Sequence, residues 1–521
     1  MPARRPAPAV SARRAANARA MPGSVLDALD AHAAARPDSL ALDDVSYGEL
    51  RAATLRVAAK LRAAGLKPGD RMAIYAENRP GFVHAYLGAL RAGAIVVPVN
   101  VLYRTSDLEH VLDDATPSVV CVSTASAPYV AARAGRAVIG LAAVEAWAHD
   151  ASLAPLADPP ALDSNAGAII IYTSGTTGRS KGAVLGHGNL VAIGEQLNEA
   201  WRWTSADTLL LALPLFHVHG LGAGLNGTLI AGGRVLLRER FDAAAAIALL
   251  AAGEATMFFG VPTMYVRFLE QAGPEVRFDR VRLFVSGSAA LPATVHEEFA
   301  RRFGVSILER YGATEFGFAL TNRYEGPRHA GTVGFPFPRV EVKLGDPVTG
   351  ADTPPGEAGE ILVHGPNVFL GYWRNEAATQ AAFVRDAQGR AWYKSGDLAG
   401  YDPERGYTIN GRLKELVISG GFNVYPIEVE TELLRVPGIR AAAVVGEPHP
   451  ARGEVPVAFV EVDPGFDPEA ALATLRERLA SFKVPKALYP IDALPRNAMG
   501  KVEKPRLRAL LAEGAASKGS G

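Results

Sequence analysis

Apolar residues in this chain come in short continuous blocks set between longer amphipathic stretches. RMAIYA (71–76), AIVVPVN (94–100), SVVCVS (118–123), AGAIIIYTSG (166–175), DTLLLALP (207–214), RVLLRE (234–239), TMFFGVP (256–262) and VRLFVSG (281–287) have the length and β-branched content of buried strands. Helical spacing fills the gaps, as through HAYLGALRAG (84–93). This alternation from Ser24 to about Val340 predicts largely parallel sheets flanked by helices, with too many strands for one sheet. The longest apolar stretch, 243–266, is interrupted by Gly253, Glu254 and Pro262, so it reads as a helix followed by a strand rather than a membrane span.

The pattern changes after about residue 340. Segments 340–365 and 391–412 alternate and turn at Gly, Asp and Pro, predicting antiparallel hairpins of a distorted barrel. Past Arg412 the order is strand ELVISG, helix IEVETELLRVP, strands AAAVVGEP and VPVAFVEV, helix PEAALATLRERLA and strand ALYPIDALP. The fold class expected is α/β, with a large N-terminal domain over 24–411 and a small α+β domain over 412–515. Residues 1–23, with five Arg and no acid in the first twenty, read as a disordered or presequence-like extension, and 516–521 as a tail.

Composition narrows the classes. Fifty-four basic residues balance 54 acidic ones, which gives no general reason to expect nucleic acid or an anionic membrane as partner. The single cysteine, Cys121, cannot form an internal disulfide and reads as a buried strand thiol. A reducing, cytoplasmic setting is expected, or an organelle if residues 1–20 are a transit peptide.

Candidate chemistry begins at YTSGTTGRSKGA (172–183), where small residues, hydroxyls and Lys181 suit a phosphate without matching the P-loop spacing. ERYGATEFG (309–317) offers an aromatic, Tyr311, a close-approach Gly312, the hydroxyl of Thr314 and the carboxylate of Glu315, suited to a purine, a phosphate and its Mg²⁺. Asp397 in YKSGD can accept from ribose hydroxyls, Arg412 stands at the domain boundary, and Lys501 follows a glycine in PRNAMGK.

Together, TSGTTGRSKG, YGATE, SGD, GRLKE…GGFNVYP and PRN-x-MGK resemble the adenylate-forming acyl-CoA synthetase superfamily from about residue 24 to 512. The resemblance implies a ligase joining a carboxylate to ATP with release of pyrophosphate, then passing the acyl group to coenzyme A. It assigns Thr173, Ser174, Gly175, Thr176, Thr177, Gly178 and Lys181 to the β- and γ-phosphates, and Thr314 to the α-phosphate. It assigns Glu315 to Mg²⁺; Tyr311, Gly312, Ser288 and Ala289 to adenine; and Asp397 and Arg412 to ribose. Lys501 would bridge the acid and the α-phosphate. Lys414 would be the hinge of a mobile C-terminal domain, and Gly420, Gly421 and Phe422 would line the coenzyme A channel.

The acid is addressed by GVPTMYVRFLE (260–270), where Thr263, Met264 and Arg267 share one helix face. A cation there can bind a second carboxylate, although spacing alone favours a surface Arg at the helix edge. GVPTMYxR, LPLFHVHGL, SGSAALP and AGTVGFP resemble the malonyl-CoA synthetase branch, which implies that Arg267 receives a distal carboxylate, with His217 or His219 shaping the pocket. Arg282, inside a predicted strand, reads as structural. Ala313 replaces the methionine common in that branch, which widens the pocket towards methylmalonate or bulkier C2-substituted malonates. The rival readings are a ligase for a monocarboxylate, an enzyme loading a carrier protein, and a nucleotide-binding protein without catalysis; the last fits poorly with Lys181, Glu315, Asp397 and Lys501 all present.

Overall fold

The computed structural model describes residues 22–130, 136–173, 180–346, 348–420, 422–450, 452–497 and 500–518. Two large sheets build the N-terminal part. In one, six parallel strands lie in the order Leu308–Tyr311, Leu283–Ser286, Met257–Gly260, Thr208–Leu211, Arg234–Leu237 and Leu40–Leu42. Short antiparallel strands finish it: Leu320–Thr321 and Phe335–Pro336 at one edge, Val45–Ser46 at the other. In the second sheet, Gly167–Thr173, Ile95–Pro98, Arg71–Tyr75, Val119–Val122 and Ala137–Gly140 run parallel. Lys181–Gly186 and Gly371–Tyr372 extend that sheet antiparallel beyond Gly167–Thr173.

The central strands are covered on both faces, which is why they read as unbroken apolar runs: every residue of Val119–Val122, Met257–Gly260 and Leu283–Ser286 is buried. Cys121 lies in this interior, where burial pushes its thiol up to about 12. The 243–266 stretch divides into helix Ala243–Ala251, whose cap Asp242 accepts from the Ala245 amide at 2.8 Å, and strand Met257–Gly260. The helix expected at 84–93 begins earlier, at Pro80, because proline pre-sets the first helical turn.

Two expectations shift at their edges. A strand, Leu308–Tyr311, runs into the ERYGATEFG segment and carries the residues ERY themselves. Arg282 lies just before its strand, Leu283–Ser286, where it grips Asp207 at 2.6 and 2.8 Å and donates to the Trp201 carbonyl; it is structural.

Beyond residue 340 a five-stranded antiparallel sheet pairs Glu341–Gly345, Gly359–His364 and Ala391–Asp402, and the last also pairs with Phe383–Arg385 and Gly406–Arg412. The C-terminal part has its own sheet, Phe422–Val424, Val417–Ser419, Gly453–Val462 and Ile439–His449, with Leu488–Pro490 on Gly453–Val462. Helices Pro426–Leu433 and Pro468–Arg478 accompany a separate core that includes Val429, Leu433, Val444, Val460, Leu472 and Leu475. Among the described residues, no helix is long and apolar enough to cross a membrane.

Side-chain amides fasten the two large sheets together. From helix His187–Ala200, Asn189 donates to the carbonyls of Pro366 and Val368 at 2.8 and 2.9 Å, and Gln196 donates to that of Phe318 at 2.9 Å. Asn367 donates to Phe316 and Phe318 carbonyls, and the Phe369 amide donates to the Glu315 carbonyl. These bonds satisfy buried backbone of the segments 315–318 and 366–369 where the chain leaves the sheets.

Candidate active site

Strand Leu308–Tyr311 ends at the heart of the site. The Tyr311 hydroxyl donates to Asp397 Oδ2 at 2.6 Å, while Arg412 Nε meets Asp397 Oδ1 at 2.9 Å. Antiparallel register opposes Asp397 to Arg412, and the Asp397 amide donates to Ser395 Oγ. The attraction of Asp397 raises the Arg412 pKa, so this charge is secure. Gly312 follows, with the Gly317 carbonyl oxygen 2.0 Å from where a Cβ would stand; only glycine fits that turn.

Thr314 and Glu315 are buried immediately beyond. Burial raises the Glu315 pKa, and the Tyr372 hydroxyl, donating to Oε1 at 2.9 Å, opposes that rise. Tyr372 also lies under Lys181, whose Nζ is 5.2 Å from the ring centroid. Thr173 pairs with Lys181 across the hairpin, so the described ends of the phosphate-loop candidate frame the site. Ser174, Gly175, Thr176, Thr177 and Gly178 lie outside the described residues. A single buried carboxylate fits magnesium, which takes one or two acids and completes its shell with phosphate oxygens and water. Glu315 is the residue that would hold it, and the ion would neutralise phosphate charge.

At the other end, Ser288 and Ala289 are half-buried in the SGSA turn, Ser288 with φ of 70°. His219 Nδ1 lies 3.2 Å from Ser288 Oγ, and its ring is buried beside Phe259 and Phe318. His217 is half-buried, and burial with the Arg310 charge lowers its pKa to about 4. His219 is held neutral more strongly, by burial and by the same charge.

Arg310 was not among the residues the sequence singled out. It is 5% exposed, its guanidinium packs 4.4 Å from the Phe318 ring centroid, and a Cβ on Gly287 would come within 2.5 Å of it. Among the described residues its Nε and Nη2 have no hydrogen-bond partner, and burial lowers its pKa to about 9. No acidic side chain among the described residues pairs with it. Among the described residues, His219 Nε2 is a third buried nitrogen without a partner here. Arg267, on helix Pro262–Gln271, is exposed and forms no hydrogen bond or ion pair among the described residues. Ala313 is half-buried.

The C-terminal part reaches the site through the Lys501 loop. Thr263 Oγ1 lies 3.3 Å from the Cβ position of Gly500. Lys501 is exposed, with its amide donating to Asn497 Oδ1 at 3.0 Å. Crowding by protein lowers its pKa, Arg412 adds to that, and Asp397 and Glu415 oppose it. Lys501 is thus within electrostatic reach of the Asp397–Arg412 pair. Lys414, expected to be the hinge, is exposed in the turn Leu413–Glu415 between the five-stranded antiparallel sheet and the sheet of the C-terminal part. Gly420 has φ of 60° and donates to the Arg452 carbonyl, and Phe422 stacks on Phe482 at 4.7 Å; Gly421 lies outside the described residues.

The description AMP-binding enzyme matches residues 29–373, and AMP-binding enzyme C-terminal domain matches residues 428–501. A feruloyl-CoA synthase from an Amycolatopsis species is 38% identical over 471 residues, 89% of this chain and 93% of that protein. The mitochondrial malonate–CoA ligase of Mus musculus is 33% identical over 508 residues, 89% of this chain and 86% of that protein. ATP-bound MatB from Rhodopseudomonas palustris superposes with a TM-score of 0.85 at 39% identity, over 92% of this chain and 98% of that one. Its apo form superposes with a TM-score of 0.76. The chain belongs to the AMP-binding enzyme family and is an AMP-forming acyl-CoA ligase.

Proposed function

We propose that the acid is malonate, with room for C2-substituted malonates, and that the product is the corresponding malonyl-CoA. The observation that carries this reading is Arg310. A buried guanidinium with two unpartnered nitrogens is costly unless an anion completes it. A monocarboxylic acid spends its only carboxylate at the reacting end, whereas a diacid has a second one to offer. A planar carboxylate can accept two parallel bonds from a guanidinium, and the neutral His219 adds a nearby polar edge. Arg267, one turn along the helix from Thr263, would guide the diacid from the outer side.

In this reading Tyr311, Gly312, Ser288 and Ala289 flank adenine, and Asp397 with Arg412 holds the ribose. Thr173, Lys181 and the intervening loop hold the β- and γ-phosphates, Thr314 touches the α-phosphate, and Glu315 holds the Mg²⁺ that accompanies ATP. Lys501 brings positive charge to the acid carboxylate as it attacks the α-phosphorus and pyrophosphate leaves. Positioning and charge neutralisation then supply most of the catalysis. The C-terminal domain, 412–515, turns about Lys414 and brings Gly420, Gly421 and Phe422 to the thiol channel, where coenzyme A displaces AMP. The better superposition on the ATP-bound MatB than on its apo form supports an arrangement suited to the first step.

The test is coenzyme A-dependent AMP release with malonate, methylmalonate, acetate, octanoate and ferulate. Diacids are expected to lead, and Arg310→Met is expected to cost about 3–5 kcal/mol in kcat/KM for malonate while sparing acetate. The exposed Arg267→Ala is expected to cost about 1 kcal/mol. Lys501→Ala is expected to abolish adenylation and leave thiol attack on pre-made malonyl-AMP largely intact. A wild-type preference for a monoacid overturns the malonate reading. The exposure of Arg267 and the likeness to a feruloyl-CoA synthase favour, as second reading, an aromatic monocarboxylate seated beside Ala313.

A further inference from the structure

Two ion pairs bracket the turn that contains Lys414. On the N-terminal side Arg412 is held by Asp397 at 2.9 Å, within the five-stranded antiparallel sheet. On the C-terminal side Glu415 is held by Lys504 Nζ at 3.2 Å, and the same ammonium meets Glu430 of helix Pro426–Leu433 at 2.8 Å. Only Leu413 and Lys414 lie between the two anchors, and both are exposed. Glu430 also accepts from the Val444 amide, so the second anchor reaches into the sheet of the small domain.

Lys504 opens the C-terminal helix Lys504–Lys518, three residues after Lys501. The backbone between them is fixed: Arg496 bridges Val502, the Glu503 amide donates to the Pro495 carbonyl at 2.8 Å, and Asn497 and Lys501 exchange bonds. Burial works against the Lys504 charge, yet Glu430 and Glu415 outweigh it and raise its pKa. The ammonium is therefore charged wherever the two carboxylates are, and without it they would face one another across a poorly solvated gap.

We infer that Lys504 is a positioning residue that locks the Glu415 end of the turn to the small domain, so that Lys501 and Glu415 travel as one body and the pivot is confined to Leu413 and Lys414. Lys504 touches no reacting atom in this arrangement; it acts by fixing where the Lys501 loop arrives. Without the clamp, rotation spreads along the chain beyond Glu415, and Lys501 reaches the Asp397–Arg412 pair in a wider range of poses. Misplacement of that kind lowers turnover more than nucleotide affinity.

This inference rests on Lys501 acting in adenylation, and the experiment separates the two ideas by adding a readout that needs no activity. ATP–pyrophosphate exchange, driven by whichever acid the wild type prefers, reports adenylation; trypsin cleavage within 412–415 reports exposure of the turn. Lys504→Met is expected to lower the exchange kcat about tenfold with KM for ATP within about twofold, and to hasten cleavage about fivefold. Lys504→Arg should restore both. Glu415→Gln, at the other end of this ion pair, should reproduce the defect, and combining it with Lys504→Met should add little, since both remove one coupling. Unchanged cleavage in Lys504→Met overturns the clamp, as does full additivity of the two substitutions. Faster cleavage with undiminished exchange shows that the turn is clamped but that the clamp does not position Lys501, and overturns the inference too. Failure of Lys501→Ala to impair exchange would instead remove the role given to Lys501.

Discussion

The nucleotide end and the acid end of the site are built on opposite principles. Around Tyr311 the polar groups are already matched: Asp397 holds Arg412 and Tyr311, and Tyr372 holds Glu315. Around Arg310 they are not, since two guanidinium nitrogens and His219 Nε2 are buried without partners among the described residues. On the proposed assignment, a ribose and a phosphate chain meet a floor that is already ordered, so little reorganisation is needed. The acid, on the same assignment, enters a place whose charge balance is complete only when it is there. Pairing within the protein supports the Tyr311 half, and the Arg310 half is left for substrate charge to complete.

The sharpest way to break this contrast is Asp397→Ala. It should strand Arg412 and the Tyr311 hydroxyl together and cost about 3–5 kcal/mol in stability, read by denaturant unfolding, with loss of ATP binding. A smaller loss would mean that the floor is less interdependent than its distances suggest.

Next is Glu309, on the same strand as Arg310. Burial raises its pKa from the ordinary 4.5 to about 8, with the Leu291 and Gly331 amides, both at 3.4 Å, only partly offsetting. Between those pH values the folded state holds a proton that the unfolded chain has lost. Stability from this group is therefore full below the unfolded pKa, declines as pH rises, and levels off above about 8. Glu309→Gln should flatten that decline, worth on the order of 3 kcal/mol between pH 5 and 8, in melting curves compared with wild type.

Arg310→Met should do the reverse of what a binding-site substitution usually does to stability. Removing an uncompensated buried cation is expected to stabilise the apo protein by about 2 kcal/mol while malonate use collapses. An unchanged or lower melting temperature would show that Arg310 is satisfied without substrate. Tyr372→Phe is the mildest: it removes one hydrogen bond to Glu315 and should cost about 1 kcal/mol in kcat/KM, with a higher Mg²⁺ requirement.

Much of the architecture was legible because parallel strands buried on both faces leave continuous apolar runs, and TMFFGVP or SVVCVS admit few other readings. Asp397, Arg412 and Glu315 were marked by motif, and the structure brings them together. Arg310 was hidden in plain view: between Glu309 and Tyr311 it reads as a polar strand end, and its burial is imposed by Gly287 and Phe318, which no local pattern connects to it. Tyr372 meets Glu315 from 57 residues away along the chain. Arg267 was legible as a position on a helix face, but its exposure depends on neighbours that periodicity does not specify.

The strand Leu308–Tyr311 has a consequence for how this protein can change. Successive side chains leave it on opposite sides, so Glu309 and Tyr311 face one way and Arg310 the other. Exchanging one side chain there alters one compartment at a time. Inserting or deleting a residue would turn the whole set over, sending the guanidinium towards the Asp397 side and the phenol towards the His219 side. On the proposed assignment, substrate range in this chain can therefore drift by replacement within 308–311, while a variant that alters the length of that strand is expected to lose ATP and acid together.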